Sequence, residues 1–335
     1  MQTPTMNATT IERGVRASRV SPVIIATDGE DQSNSAMVVG RLLATTPDAI
    51  RLATVVKPLP IVSAEAPIPA TEEVEASRRV DRWLSIEAQS ARVWGGHVAD
   101  IDICEGDPAA ILARLARETN ATMIVSGLGR HRVVDRLFGD ETALQLIRVS
   151  SVPVFAVASG TSQLPARIVV AVDFSETSLR AARLALEVAA PRATIYLTHV
   201  GPRDSMVRGW NGSGATYKNE VGMALAKMRN QLRVPPGMSV QTVMLQGDPA
   251  TELLAFASTV GADAVATGSH GHGFIARTII GSVTTRILRC ATCSVLCVPY
   301  AAAMTHVPMD VAPPRLRQTY RPEWSKRLSG SLRAR

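Results

Sequence analysis

Apolar residues in this chain fall in short runs, and the runs come twice in the same order. Pro22-Val-Ile-Ile-Ala-Thr-Asp28 and Arg167-Ile-Val-Val-Ala-Val-Asp173 are both apolar, β-branched and end in aspartate. That is the pattern of a strand buried on both faces of a parallel sheet. Helical segments follow at 33–45 and 175–190, and second strands at 49–56 and 193–200. Third strands at 97–104 and 238–245 run into Glu105-Gly-Asp-Pro-Ala109 and Gln246-Gly-Asp-Pro-Ala250. Aspartate before proline predicts a helix start, because the carboxylate caps open N–H groups and proline suits the first helical position. Helices over 108–119 and 249–260 should follow. Fourth strands at 120–126 and 261–267, last helices at 140–149 and 282–290, and fifth strands at 152–157 and 293–298 complete each unit.

Strands alternating with helices predict the α/β class, with right-handed crossovers. The expected architecture is two tandem five-stranded parallel-sheet α/β/α sandwich domains. The first spans 21–158 and the second 167–300, with the polar, turn-rich stretch 159–166 as linker. Residues 57–70, rich in proline, and 201–215, rich in glycine, predict long loops before each second helix. Residues 1–20 and 301–335 lack apolar periodicity and are expected to be disordered.

Charge changes this picture little. The net charge of +7 comes from the ends: Arg315, Arg317, Arg321, Lys326, Arg327, Arg333 and Arg335 outweigh Asp310 and Glu323 in the tail. Arg13, Arg16 and Arg19 outweigh Glu12 at the start. The body between is balanced, so a nucleic-acid-binding fold is not indicated. Hydrophobic content of 46% suits a globular protein, and no apolar run reaches the roughly 18 residues of a membrane span. No continuous apolar segment follows the first arginines, so a secretory signal is not expected and a cytoplasmic location is. Cys104, Cys290, Cys293 and Cys297 are too few and too clustered for a disulfide framework. Cys290-Ala-Thr-Cys293 lacks the second ligand pair a zinc site needs, and it leaves a helix where a thioredoxin-like pair opens one.

The candidate chemistry lies at 268–282, a G-x-x-G-x9-G-S pattern carried by Gly268, Gly271, Gly281 and Ser282. Glycines let backbone N–H groups turn inward together around phosphate oxygens. A helix N-terminus beyond them adds free N–H groups and partial positive charge. Ser282 is placed to cap that helix and to offer its hydroxyl, and Val283 and Thr284 to add N–H groups and one more hydroxyl. No acidic residue occurs from His272 to Met309, whereas Arg277, Arg286 and Arg289 do. The first repeat has a damaged copy: Gly127-Leu-Gly129, nine residues, then Gly139-Asp140. One gap is a residue short, and Asp140 replaces the serine with a carboxylate that would repel a phosphate. A P-loop is absent, and Gly271-His-Gly273-Phe-Ile-Ala276 lacks the acidic ribose ligand of a dinucleotide site.

This spacing resembles that of the universal stress protein family, over about 22–300 as a tandem pair. The resemblance implies a five-stranded parallel α/β sandwich in each half. It implies ATP, ADP or AMP, with or without Mg²⁺, held between the first-strand aspartate, the second-strand end and the glycine loop. Carried over, Asp173 would contact the adenine or ribose and Val200 would line the base pocket. Gly268, Gly271, Gly281, Ser282, Val283 and Thr284 would hold ribose and phosphates. The two repeats would pair with each other as a pseudo-dimer through their last strands, with a homodimer of whole chains left open.

Plainer readings stand beside these. Asp28 reads as a turn residue, and Asp107 and Asp248 as helix caps. His199 reads as a packed or hydrogen-bonded histidine rather than a catalyst, and Trp83 and Trp94 as packing groups. His270 and His272 alone make a weak metal pair. Tyr320 and Trp324 sit in a tail that is solvated or touches nucleic acid or an acidic membrane surface. No general base is paired with a nucleophile, so an enzyme is not indicated. Two alternatives remain: a non-nucleotide scaffold whose basic tail recruits an unknown protein partner, and a slow nucleotide-dependent hydrolase.

Overall fold

A computed structural model describes residues 21–56, 72–95, 100–128, 139–203, 214–269 and 280–300. In the first repeat, β1 (Val23–Ala26), α1 (Asn34–Leu43), β2 (Ile50–Val56), α2 (Glu72–Trp94) and β3 (Asp100–Glu105) are followed by α3 (Pro108–Glu118), β4 (Met123–Leu128), α4 (Gly139–Val149) and β5 (Val154–Ala158). The second repeats this as β6 (Arg167–Ala171), α5 (Glu176–Val188), β7 (Thr194–Gly201), α6 (Gly214–Asn230) and β8 (Ser239–Gln246), then α7 (Pro249–Thr259), β9 (Ala264–Gly268), α8 (Ser282–Cys290) and β10 (Ser294–Val298). The last strands of the two repeats pair with each other, as the resemblance implied, and join the two five-stranded sheets. A single ten-stranded sheet runs β3-β2-β1-β4-β5-β10-β9-β6-β7-β8. Every pairing is parallel except the central one, where β10 meets β5 antiparallel.

That seam explains why the fifth strands are so apolar. Leu296 pairs with Phe155, flanked by Val295 with Ala156 and Cys297 with Val154. The arrangement is two-fold about the Phe155–Leu296 pair, as an isologous interface requires. Both side chains are buried. Fusion removes two sheet edges that would otherwise be open to pairing with other chains. The Ala158 N–H donates to Ser294 Oγ at 3.1 Å and closes one end of the seam.

Alternation along the strands divides the core into two layers, one on each sheet face. Val23, Ile25, Phe155, Val157, Ile168, Val170, Leu296 and Val298 face the layer that covers α1, α2, α5 and α6. Ile24, Val154, Ala156, Val169, Val295 and Cys297 face the layer that covers α3, α4, α7 and α8. Each layer crosses the seam without a break. The expected caps are in place: Asp107 accepts from Ala110 N–H at 2.8 Å and Asp248 from Thr251 N–H at 3.0 Å. Trp83 is buried, and Trp94 Nε1 donates to the Met37 carbonyl at 3.1 Å. Among the described residues, no helix is long and apolar enough to cross a membrane.

Candidate functional site

A cleft of about 260 Å³ opens at the carboxyl ends of β6, β7 and β9. Its position follows from the topology. β6 lies between β7 and β9, so the chain departs to one side of it and later returns to the other. Where strand order reverses in this way, the connections diverge and leave a crevice beyond the strand ends. The volume is just under the roughly 300–1000 Å³ usual for small-molecule pockets.

Asp173, Val200, Gly268, Gly281, Ser282, Val283 and Thr284 all line this cleft. Gly271, His270 and His272 lie outside the described residues. The lining also includes Ser178, Thr198, Pro249 and Leu253, which sequence reasoning did not single out. They carry no local signal, since only the fold brings α5 and α7 to the same crevice.

The start of α8 differs in detail from expectation. Gly281 occupies the cap position, with φ −56° and ψ 144°, and makes no side-chain cap bond. Ser282 is the first helical residue, so it is one position too late to cap. The first helical bond is Thr285 N–H to Gly281 O at 3.0 Å. The N–H groups of Ser282, Val283 and Thr284 precede it and have no helical acceptor. Thr284 also differs. Its hydroxyl, 3% exposed, donates to Gly268 O at 2.7 Å and lies 3.1 Å from Thr267 Oγ1. That hydroxyl ties strand end to helix start, and what Thr284 offers a ligand is its backbone N–H. Gly281 N–H donates to Ser269 O at 2.9 Å, so the two ends of the glycine loop are joined.

Asp173 Oδ1 accepts from Ser175 N–H at 3.0 Å and from Ser175 Oγ at 2.6 Å. Asp28 Oδ1 likewise accepts from Glu30 N–H and Ser33 Oγ, both at 3.0 Å. The two aspartates thus share a turn-forming role, and Asp173 adds to it a place in the wall of the cleft.

His199, at the end of β7, is held on two sides. Its Nδ1 lies 2.8 Å from Val172 O and its Nε2 lies 3.1 Å from Tyr217 Oη. The Phe174 ring packs on it with centroids 4.7 Å apart. The expectation of a hydrogen-bonded histidine is met. Phe174 has φ 65°, a left-handed conformation that costs a residue with a Cβ roughly 1–2 kcal/mol. The same turn in the first repeat uses Gly29 at φ 81°, where that cost is absent.

Burial pushes the Cys104 thiol up to about 11 and raises that of Cys297 further. Both stay protonated and act as small core residues. Cys290 is exposed at the end of α8, and Cys293 is half-buried in the following turn.

The universal stress protein family model matches residues 20–158 and again 166–299. The chain belongs to the universal stress protein family. Universal stress protein MJ0531 of Methanocaldococcus jannaschii is 33% identical over 138 residues, covering 39% of this chain and 81% of that protein. Universal stress protein YxiE of Bacillus subtilis is 28% identical over 145 residues, covering 39% of this chain and 97% of its own. Each of these relatives corresponds to about one repeat. A universal stress protein structure from Archaeoglobus fulgidus matches with TM-score 0.56 and 19% identity over 84% of this chain and 98% of its own. That likeness concerns the fold, and it spans both repeats.

The first repeat of this universal stress protein is built differently at the corresponding place. Gln89 of α2, fully buried, reaches back to the β1–α1 turn. It accepts from Thr27 Oγ1 at 2.7 Å, and its Nε2 lies 2.6 Å from Glu30 O, 3.0 Å from Ser33 Oγ and 2.8 Å from Asn34 Oδ1. Arg82 donates to the Asp28 carbonyl, and Ser85 Oγ to Gly29 O at 3.3 Å. The turn that would face a ligand is therefore pinned by α2. The Thr267–Thr284 link is also missing there: Ser126 Oγ, at the place of Thr267, is buried without a partner among the described residues. Asp140 is the second residue of α4, and Gly129 lies outside the described residues.

Proposed function

We propose that this protein binds an adenine nucleotide, ATP or a related form, in its second repeat and acts as a nucleotide-responsive member of its family in stress signalling. The observation that carries this is the convergence of Asp173, Val200, Gly268 and the amide groups of Ser282–Thr284, which have no helical acceptor, on one cleft. The donors suit phosphate oxygens: several N–H groups, a partial positive helix end, and a first turn without an acidic residue. The apolar side of the cleft, with Val172, Val200 and Leu253, suits a flat base. Mg²⁺ would enter with the phosphates, since the donors at this helix end are amide groups rather than carboxylates.

Turnover is not part of this reading. His199 has both ring nitrogens engaged within the protein, and Asp173 is committed to its turn. Calorimetric titration of the full chain with ATP tests the reading. One site per chain is expected, weakened in Gly271→Ala and Ser282→Ala. No binding by the wild type, or unchanged binding in both variants, overturns it.

A further inference from the structure

His199 lines the cleft, yet neither of its nitrogens is free to meet a ligand. A carbonyl oxygen only accepts, so Nδ1 carries the proton and donates to Val172 O at 2.8 Å. Nε2 is then bare and accepts from Tyr217 Oη–H at 3.1 Å. Burial raises the Tyr217 phenol above its usual range, which keeps that proton in place. The Phe174 ring covers part of the imidazole. With both nitrogens engaged, the part of the imidazole left to meet a ligand is ring carbon.

Three further details are peculiar to the second repeat. Phe174 holds a left-handed backbone conformation where the first repeat has Gly29, a strain offset by surrounding contacts that include the packing of its ring on His199. Gly201 makes room for Tyr217, since a Cβ at 201 would lie 2.8 Å from Oη. Strand register places Thr54 and Val56 at the positions of His199 and Gly201. Among the described residues, the repeat with the damaged loop thus has Gly29 and Thr54 where the second has Phe174 and His199.

We propose that His199 is the base-selecting wall of the nucleotide site, and that Tyr217 is a positioning residue that holds its imidazole in one orientation. The ligand class it favours carries a flat heterocycle, because ring carbons reward planar apolar contact and offer nothing to a hydroxyl or a charge. This rests on the nucleotide reading given above. The phosphate groups would bind at the start of α8, independently of this wall.

The test titrates the full-length wild type, Tyr217→Phe and Gly201→Ala with ATP and, separately, with inorganic tripolyphosphate. In both variants ATP affinity should fall about three- to tenfold, the scale of one lost hydrogen bond, while tripolyphosphate affinity stays the same. Nitrogen-15 NMR of the imidazole without nucleotide should show the Nδ1–H tautomer in the wild type, and in Tyr217→Phe the same tautomer with the Nε2 resonance shifted by the loss of its hydrogen bond. Unchanged ATP affinity, a parallel fall for both ligands, or an Nε2–H tautomer in the wild type overturns the wall while leaving the nucleotide site standing. A wild type that binds tripolyphosphate but not ATP overturns the base selection. A wild type that binds neither overturns the nucleotide reading and the wall's selectivity with it.

Discussion

The two repeats share strands, caps and turn aspartates, and differ where α2 or α6 meets the carboxyl end of the sheet. In the first, Gln89, Ser85 and Arg82 reach down and take up the polar groups of the β1–α1 turn. In the second, α6 sends Tyr217 to His199 instead, and the equivalent turn stays open to a cleft. A buried polar group must find a partner in the protein, in water or in a ligand. At its β1–α1 turn the first repeat meets that need internally. The second leaves amide groups at a helix start that a phosphate could satisfy. The difference is therefore larger than the loss of a glycine or the presence of Asp140.

The largest effect should come from moving one feature of the first repeat into the second. Ser282→Asp sets a carboxylate beside the expected phosphate position. Repulsion of about 4 kcal/mol, for charges ~4 Å apart at a near-surface dielectric, should weaken ATP binding by about a thousandfold in calorimetry. Retained affinity would show that the helix start is not where phosphate sits. A smaller effect is expected from Gln89→Ala. It removes the buried hydrogen bonds that Gln89 makes to Thr27, Glu30, Ser33 and Asn34, at a cost of about 1–3 kcal/mol, read as a lower denaturant midpoint with ATP affinity unchanged. A loss of ATP affinity there would show that the first repeat takes part in binding.

The smallest concerns Asp248, whose carboxyl is held below its usual range by hydrogen bonds from Thr251 and by Arg286 at 2.7 Å. A depressed folded value means that the stabilisation is complete above the unfolded value, near pH 4. It fades as pH falls through the lower folded value. Asp248→Asn should therefore lower thermal stability slightly at pH 7, with the difference from wild type vanishing in strong acid. Asp107 caps the matching helix with no arginine partner described, so Asp107→Asn gives the comparison without that ion pair.

Much of this was legible in the sequence because it is local. Asp107 and Asp248 before proline announce caps, and runs such as Ile168-Val-Val170 announce strands covered on both faces. The glycine spacing at 268–282 marked the cleft, and of its named residues only Gly271 falls outside the described structure. The roles of Ser282 and Thr284 were not legible. Whether a residue caps a helix or opens it depends on a one-residue shift of the boundary, and whether a hydroxyl is free depends on Gly268 across the fold.

Sequence by itself determined the α/β class, the duplication, and which repeat keeps the full glycine spacing, since strand periodicity, cap chemistry and glycine spacing are written over a few neighbouring residues. Tertiary structure alone decided that the expected pairing of the last strands is antiparallel and centred on Phe155 and Leu296, that α2 closes one repeat, and that Tyr217 and Phe174 hold His199 in the other. Those outcomes join residues far apart in the chain. They follow from which apolar edges find each other and which buried polar groups find a partner, and no local pattern carries that information.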